Sequence, residues 1–224
     1  MPTLRIATDC DVPRMLDVFD QAFADDPHTQ LQIAWRGPES MRDGMDAALR
    51  SWLAAPYTTL MVAEDAGTDA IAGWACWARK AGTTDHEPIA QALENDVALS
   101  LVDELEQLTS GELRRCQRDV IQPGSVFHVL VAIVVRPQYQ GVGVGRALVR
   151  WGTDRADAEG LACWVHASEA GSRLFMSVGF RVHRDLTVPL DQYAPPGDRT
   201  DWGSVTFKSM VRDPGGTEPH AVGG

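Results

Sequence analysis

The 224-residue chain predicts a mixed α/β fold: one central twisted sheet flanked by helices. Three observations carry this. Residues 126–135 form an apolar, Val/Ile-rich run that meets a glycine-rich turn and then a helical apolar stripe. Two strand-like runs, 59–64 and 70–78, flank the turn Asp65–Asp69 as a hairpin. Segments with period 2 and period 3.6 alternate along the chain, and its 44% hydrophobic content suffices for one packed domain.

Taken in order, Leu4–Thr8 reads as a strand. A helix starts at Asp11 as N-cap, with Pro13 in its first turn and Met15, Leu16, Val18, Phe19 and Phe23 inward. Phe23–His28 closes that helix into a loop, and a second helix covers 39–55. Trp74 and Trp77 fall on opposite faces of the second hairpin strand. In the segment 80–125, Ile89, Leu93, Val97, Leu101, Leu105 and Leu108 recur at helical spacing, which predicts a helical insertion. The run 126–135 shows no alternation, as suits a strand buried on both faces. Its helix ends near Glu159, with Gly160 as terminator. Then come a strand (161–167), a short helix (168–178), a strand (181–188), the loop 194–198 and a last strand (202–211). Residues 1–211 read as a single domain, and 212–224 as a disordered tail poor in apolar residues.

The formal net charge of −11 argues against nucleic-acid binding. No run of 18 apolar residues suggests a membrane span, and the N-terminus has no leader pattern, so the expected location is cytoplasmic. The four cysteines form no C-x-x-C pair, and a metal site is not expected.

The turn Gln140-Gly141-Val142-Gly143-Val144-Gly145-Arg146 aims main-chain N–H groups and a helix N-terminus at one small volume, a geometry suited to phosphate. A Walker A loop fails because Arg146-Ala147 follows Gly145. The dinucleotide fingerprint fails because its third glycine position falls on Val144 or Arg146. The pattern Q/R-x-x-G-x-G/A fits. With its flanks, and with the downstream segment Ser168…Leu174-Phe175…Gly179-Phe180, the chain resembles the GCN5-related N-acetyltransferase (GNAT) superfamily.

That resemblance implies the GNAT fold, a mixed sheet whose fourth and fifth strands splay apart, with acetyl-CoA as co-substrate. It implies a pyrophosphate on Gln140–Arg146 and a pantetheine arm paired with the main chain of Ile133, Val134 and Val135. Ser168 occupies the family's usual Asn position, and reads as a helix N-cap. Phe175 stands where a Tyr usually protonates the leaving thiolate, which makes Tyr193 the stand-in acid and also raises a non-catalytic acyl-CoA-binding alternative; an O-acyltransferase is a further alternative, since the sequence does not define the pocket beyond the thioester. Acetyl transfer to an amine needs no metal. For the base, His166 and His128 are the candidates, imidazole being suited to proton relay near neutral pH. The segments Arg5–Thr8, Asp11–Arg14 and Ala22–Asp25 resemble the puromycin N-acetyltransferase branch, which implies a small-molecule primary amine as acceptor. Dimers are common in the family, so a monomer or homodimer is expected.

Overall fold

The computed structural model describes residues 2–82, 100–197 and 201–216. Its strands are β1 (Thr3–Ile6), β2 (Thr58–Glu64), β3 (Ile71–Ala81), β4 (Val126–Val135), β5 (Cys163–Ser168), β6 (Arg181–Pro189) and β7 (Ser204–Arg212). They form one sheet in the order β1-β2-β3-β4-β5-β7-β6. Only β4 and β5 pair in parallel; every other neighbour is antiparallel. The helices are α1 (Val12–Ala22), α2 (Pro27–Arg36), α3 (Pro38–Ala54), α4 (Leu101–Val120), α5 (Val144–Glu159) and α6 (Glu169–Met176).

The helices form a layer on each face. On one, Met15, Phe19 and Leu49 of α1 and α3 pack on Leu60, Val62, Trp74 and Val134. Leu113 and Val120 of α4 continue this layer over Phe127, Val129 and Trp164. On the other, Leu148 and Val149 of α5 and Phe175 of α6 pack on Met61, Trp77, Leu130 and Val165. The two indoles divide as their spacing predicts. Trp74 Nε1 donates to the Met15 carbonyl (2.9 Å) and Trp77 Nε1 to the Leu148 carbonyl (3.2 Å), on opposite sides of the sheet.

Strand β4 explains why its sequence shows no alternation. Its register with β3 jumps from Cys76↔Ala132 to Trp77↔Leu130, leaving Val131 as a bulge. Before the bulge, odd-numbered residues (Phe127, Val129) face α4; after it, even-numbered ones (Ala132, Val134) face α1 and α3. One extra residue inverts the parity, and both faces are covered.

Three sequence expectations need correction. The segment after Phe23 is a loop only as far as Asp26. Asp26 Oδ1 then accepts from the Thr29 amide (2.8 Å), and Pro27 starts α2. The N-cap and N1 signals are legible in Asp26-Pro27, although the apolar residues Leu31, Ile33 and Trp35 fall at strand-like spacing. Secondly, the expected tail does not start at 212. Arg212 belongs to β7 and makes a bidentate pair with Asp157 (2.6 and 2.8 Å), while the Gly215 amide donates to the same carboxylate (2.7 Å). A charged pair recruits a segment too poor in apolar residues to pack otherwise; 217–224 lie outside the described residues. Thirdly, within the expected 80–125 insertion, β3 runs on to Ala81 and α4 starts at Leu101, N-capped by Ser100. Leu105 is buried there, whereas Leu108 is exposed. Ile89, Leu93 and Val97 lie outside the described residues.

Candidate active site

Strands β4 and β5 pair at only three positions, His128↔Cys163, Val129↔Trp164 and Leu130↔Val165. Beyond Leu130, β4 continues beside β3 to Val135, and beyond Val165, β5 continues beside β7 to Ser168. The two therefore part at a fork, and the bulge at Val131 lies at its vertex. A parallel sheet interrupted in its middle exposes main-chain donors and acceptors that some ligand or water must satisfy.

The ladder settles which groups face that opening. The Arg136 amide donates to Ala72 O on β3 (2.9 Å), and the His128 amide to Ala162 O on the β5 side (2.9 Å). Antiparallel pairs alternate, so Ile133 and Val135 turn their N–H and C=O away from β3 and into the fork. The main chain of Val134 is turned the other way, toward Trp74, and its side chain is buried beneath α1. Of the three expected residues, Ile133 and Val135 turn N–H and C=O toward the fork and Val134 does not, because strand geometry alternates.

At the wide end of the fork, Gln140 Nε2 donates to the Val135 carbonyl (3.0 Å) and holds the turn against the strand. Gly141 (φ 75°) and Gly143 (φ 97°) both take left-handed conformations, and a Cβ at either would meet nothing within 4 Å. Glycine is needed there for conformation, and the space beside it is open to a ligand. Gly143 is the N-cap of α5 and has no side chain to cap with; the first turn, Val144-Gly145-Arg146, carries no acidic residue. The positive end of the dipole is thus unopposed. Arg146 and Val142 are exposed, and Arg136 Nε is buried without a hydrogen-bond partner. The glycine turn, a helix N-terminus and the unpartnered Arg136 Nε at the end of the fork suit a diphosphate.

The profile of the Acetyltransferase (GNAT) family matches residues 25–180. The chain belongs to the GNAT acetyltransferase family. Its fold is shared with arylalkylamine N-acetyltransferase 2 from Aedes aegypti (TM-score 0.67, 18% identity, 95% of this chain and 98% of that one). It is shared too with a histone acetyltransferase HPA2-related acetyltransferase from Corynebacterium glutamicum (TM-score 0.57, 22% identity, 97% and 98%). A third example is the ribosomal-protein-S18-alanine N-acetyltransferase from Escherichia coli (TM-score 0.53, 15% identity, 100% and 99%). At these identities the likeness is one of architecture. Enzymes of the family use acetyl-CoA.

The sequence-derived catalytic candidates of this acetyltransferase do not converge. His166 is the first residue of β5 beyond the last pair with β4, and it shares the face of Trp164, toward α4. Neither ring nitrogen has a hydrogen-bond partner. Burial pushes its pKa down to about 4, with Glu112 opposing and His28 adding to the shift. The imidazole is thus neutral at pH 7, and lower in basicity than the sequence suggested.

His128 lies elsewhere. It sits where β4 and β5 are still paired, and on the opposite face, under α5, with Nε2 3.5 Å from Glu159 Oε1. Together with Arg79, Trp151 and Arg155 it lines a cleft of about 280 Å³ at the C-terminal end of α5, the end away from the glycine turn. Register separates them: His128 pairs with Cys163, and His166 lies an odd number of residues further along β5, so its side chain takes the other face. Tyr193 is also remote. It follows β6, two strands from the fork, its ring packed in a cluster with Leu31, Leu190 and Trp202 and its carbonyl accepting from Trp35 Nε1 (2.7 Å).

Ser168 caps α6, accepting from the Gly171 amide (3.2 Å). Phe175 is fully buried and meets Phe180 edge-on (5.6 Å). It is Leu174 that reaches the turn: a Cβ on Gly145 would meet its Cδ2 at 3.0 Å and Val135 Cγ2 at 3.6 Å. The residue missed by sequence reasoning is His28 on α2. It is half-buried, with its ring edge-on to Phe207 of β7 (5.4 Å), and His166 meets the same ring edge-on (5.1 Å). The Asp26-Pro27 helix start would have placed it on a helix facing the sheet.

Proposed function

We propose that this protein is an acetyl-CoA-dependent N-acetyltransferase that acetylates a primary amine of a small molecule by direct attack in a ternary complex. The observation that carries the reading is the fork. It opens at Leu130/Val165, runs past the main-chain groups of Ile133 and Val135 that β3 does not pair, and ends at the glycine turn that starts α5. The amides of 141–145, with Arg136 and Arg146, hold a diphosphate at the wide end. Val131, the bulged residue without a β3 partner, lies at the vertex, and its main-chain N–H is assigned the role of stabilising a developing oxyanion.

When bound, acetyl-CoA supplies a thioester already activated toward amines. The chain's task is then positioning, which contributes strongly in bimolecular acyl transfer. His166 borders the vertex on the face covered by α2 and α4, and receives the proton shed by the attacking nitrogen. Buried and neutral, it passes a proton on and does not keep it. Phe175 has no hydroxyl to offer, so the departing thiolate takes its proton from water; thiols of ordinary pKa, about 8.5, are protonated near neutral pH. The packing of α2 against α4 and β7 over this face supports a compact acceptor in preference to a protein tail. No described helix is long and apolar enough to cross a membrane.

The test is release of free thiol from acetyl-CoA on addition of a panel of primary amines. Acceptor-dependent release at least tenfold above hydrolysis is expected from one class of amine. Tight CoA binding with no acceptor-dependent release from any amine would instead support the acyl-CoA-binding alternative that Phe175 motivates.

A further inference from the structure

The cleft at the C-terminal end of α5 has β3 and β4 as one wall, with Trp77, Arg79 and His128, and α5 as the other, with Trp151, Arg155 and Glu159. His128 sits where β4 and β5 are still paired, so the cleft lies at the closed end of that pair, away from the fork. The imidazole is 5% exposed, and its Nε2 is buried without a hydrogen-bond partner. Glu159 Oε1 stands 3.5 Å from that nitrogen but makes no hydrogen bond to it. The other oxygen of the same carboxylate accepts from Arg79 Nε (3.0 Å), and this guanidinium holds the Glu159 carboxyl below its ordinary value. Buried polar side-chain atoms are as a rule satisfied, so an orphaned nitrogen on the wall of a cleft calls for a partner from outside the chain.

The charges of the cleft say what kind of partner. The Arg155 guanidinium carbon lies 5.2 Å from the centre of the Trp151 ring, and among the described residues no carboxylate pairs with it. Two guanidiniums thus face one carboxylate, and the indole face that could attract a cation already carries one. An amine would be repelled by both arginines, whereas an oxyanion finds the Arg155 fork of donors unclaimed. The negative end of α5 opposes an anion only weakly: the amides of Gly160 and Leu161 already take the carbonyls of Ala156 and Asp157, and the dipole is screened near solvent. Trp151 supplies a flat, partly exposed apolar wall. A volume of about 280 Å³ is near the lower end of small-molecule sites and suits one or two fused rings.

We propose that this cleft is a second binding site, for a small aromatic carboxylate that accepts hydrogen bonds from Arg155 and from His128 Nε2 and lays its ring against Trp151. His128 then carries its proton on Nε2 and stays neutral. The site is independent of acetyl transfer: a protein that acetylates no amine leaves it standing.

The deciding experiment is isothermal titration of the full chain with benzoate, 1-naphthoate and indole-3-acetate, each with and without saturating CoA. At least one should bind saturably at one site per chain, with its Kd within twofold in the presence of CoA. Indole-3-acetamide, the uncharged match of indole-3-acetate, should bind at least tenfold more weakly than its acid. Arg155→Gln should weaken the acid at least tenfold, with Arg155→Met, which keeps the apolar stem, as the second variant. Glu159→Gln should tighten it at least twofold, because a repelling charge goes and Arg79 is released. Saturable binding by none of the three acids overturns the site. Displacement by CoA moves the ligand to the fork and overturns it too. Unchanged affinity in both Arg155 variants overturns the assignment of the carboxylate, as does weaker binding in Glu159→Gln.

Discussion

Trp77 of β3 lies directly against Gly152 of α5: a Cβ on Gly152 would stand 2.1 Å from Cε2 of the indole. The same indole donates to the Leu148 carbonyl one turn earlier, so a single contact sets both the height of α5 above the sheet and its rotation. Because α5 begins at the glycine turn, this packing positions the proposed diphosphate site from two turns away.

Gly152→Ala therefore tests the link between core and site. Alanine gains about 1 kcal/mol of helix propensity over glycine. Overpacking against a fully buried ring costs about 3 kcal/mol or more and wins. Chemical denaturation should show a net loss of about 2 kcal/mol, and calorimetry a weaker affinity for CoA.

Gly143 separates conformational strain from ligand exclusion. Alanine there meets open space but must take φ 97°, at about 1–2 kcal/mol in stability. Glutamate adds a negative charge where the diphosphate is proposed to lie, and should lower CoA affinity by more than about a hundredfold. Isothermal titration of both variants checks this; equal affinities for the alanine and glutamate proteins would overturn the loop assignment.

The Asp157–Arg212 pair closes the C-terminal end of β7 onto α5. Arg212 is almost wholly buried and also donates to the Val178 carbonyl (2.9 Å). The guanidinium, and then the Gly215 amide, hold the Asp157 carboxyl below its ordinary value of 3.8. A depressed acid contributes stability that is present above about pH 4 and is lost as pH falls through its folded value. Asp157→Asn leaves Arg212 uncompensated, should cost about 2–3 kcal/mol at pH 7, and should flatten the acid limb of a Tm-versus-pH curve.

His166 titrates in the opposite sense. Its folded value, about 4, lies below the ordinary 6.5, so the unfolded chain binds the proton first. Stability is unaffected above about pH 6.5 and falls as pH drops from there toward 4. His166→Gln should remove that part of the acid limb, while lowering amine-dependent thiol release about a hundredfold. In the wild-type protein, no loss of kcat assignable to His166 protonation should occur between pH 5.5 and 8.

Much of this was legible in the sequence because it is local. The strand–turn–helix unit at 126–159, the hairpin around Asp65–Asp69 and the capping of α6 by Ser168 each rest on neighbouring residues, and all appear in the fold. The start of α2 was equally local, in Asp26-Pro27, but strand-like spacing of its apolar residues obscured it. Val134, His128 and Tyr193 could not be judged in this way. Whether a strand amide faces a ligand or a neighbouring strand depends on register, and which face a side chain takes depends on every bulge before it.

The sequence by itself determined the glycine turn that starts α5, since glycine spacing and a helix start act over a few residues. It also determined the family, whose motifs lie within that reach. The tertiary structure alone decided where β4 and β5 part, which amides the fork exposes, and that His166 shares its face with His28 and not with His128. Those outcomes come from strand pairing and one inserted residue at Val131, which couple positions far apart in the chain through a sheet whose side-chain parity inverts with a shift of one.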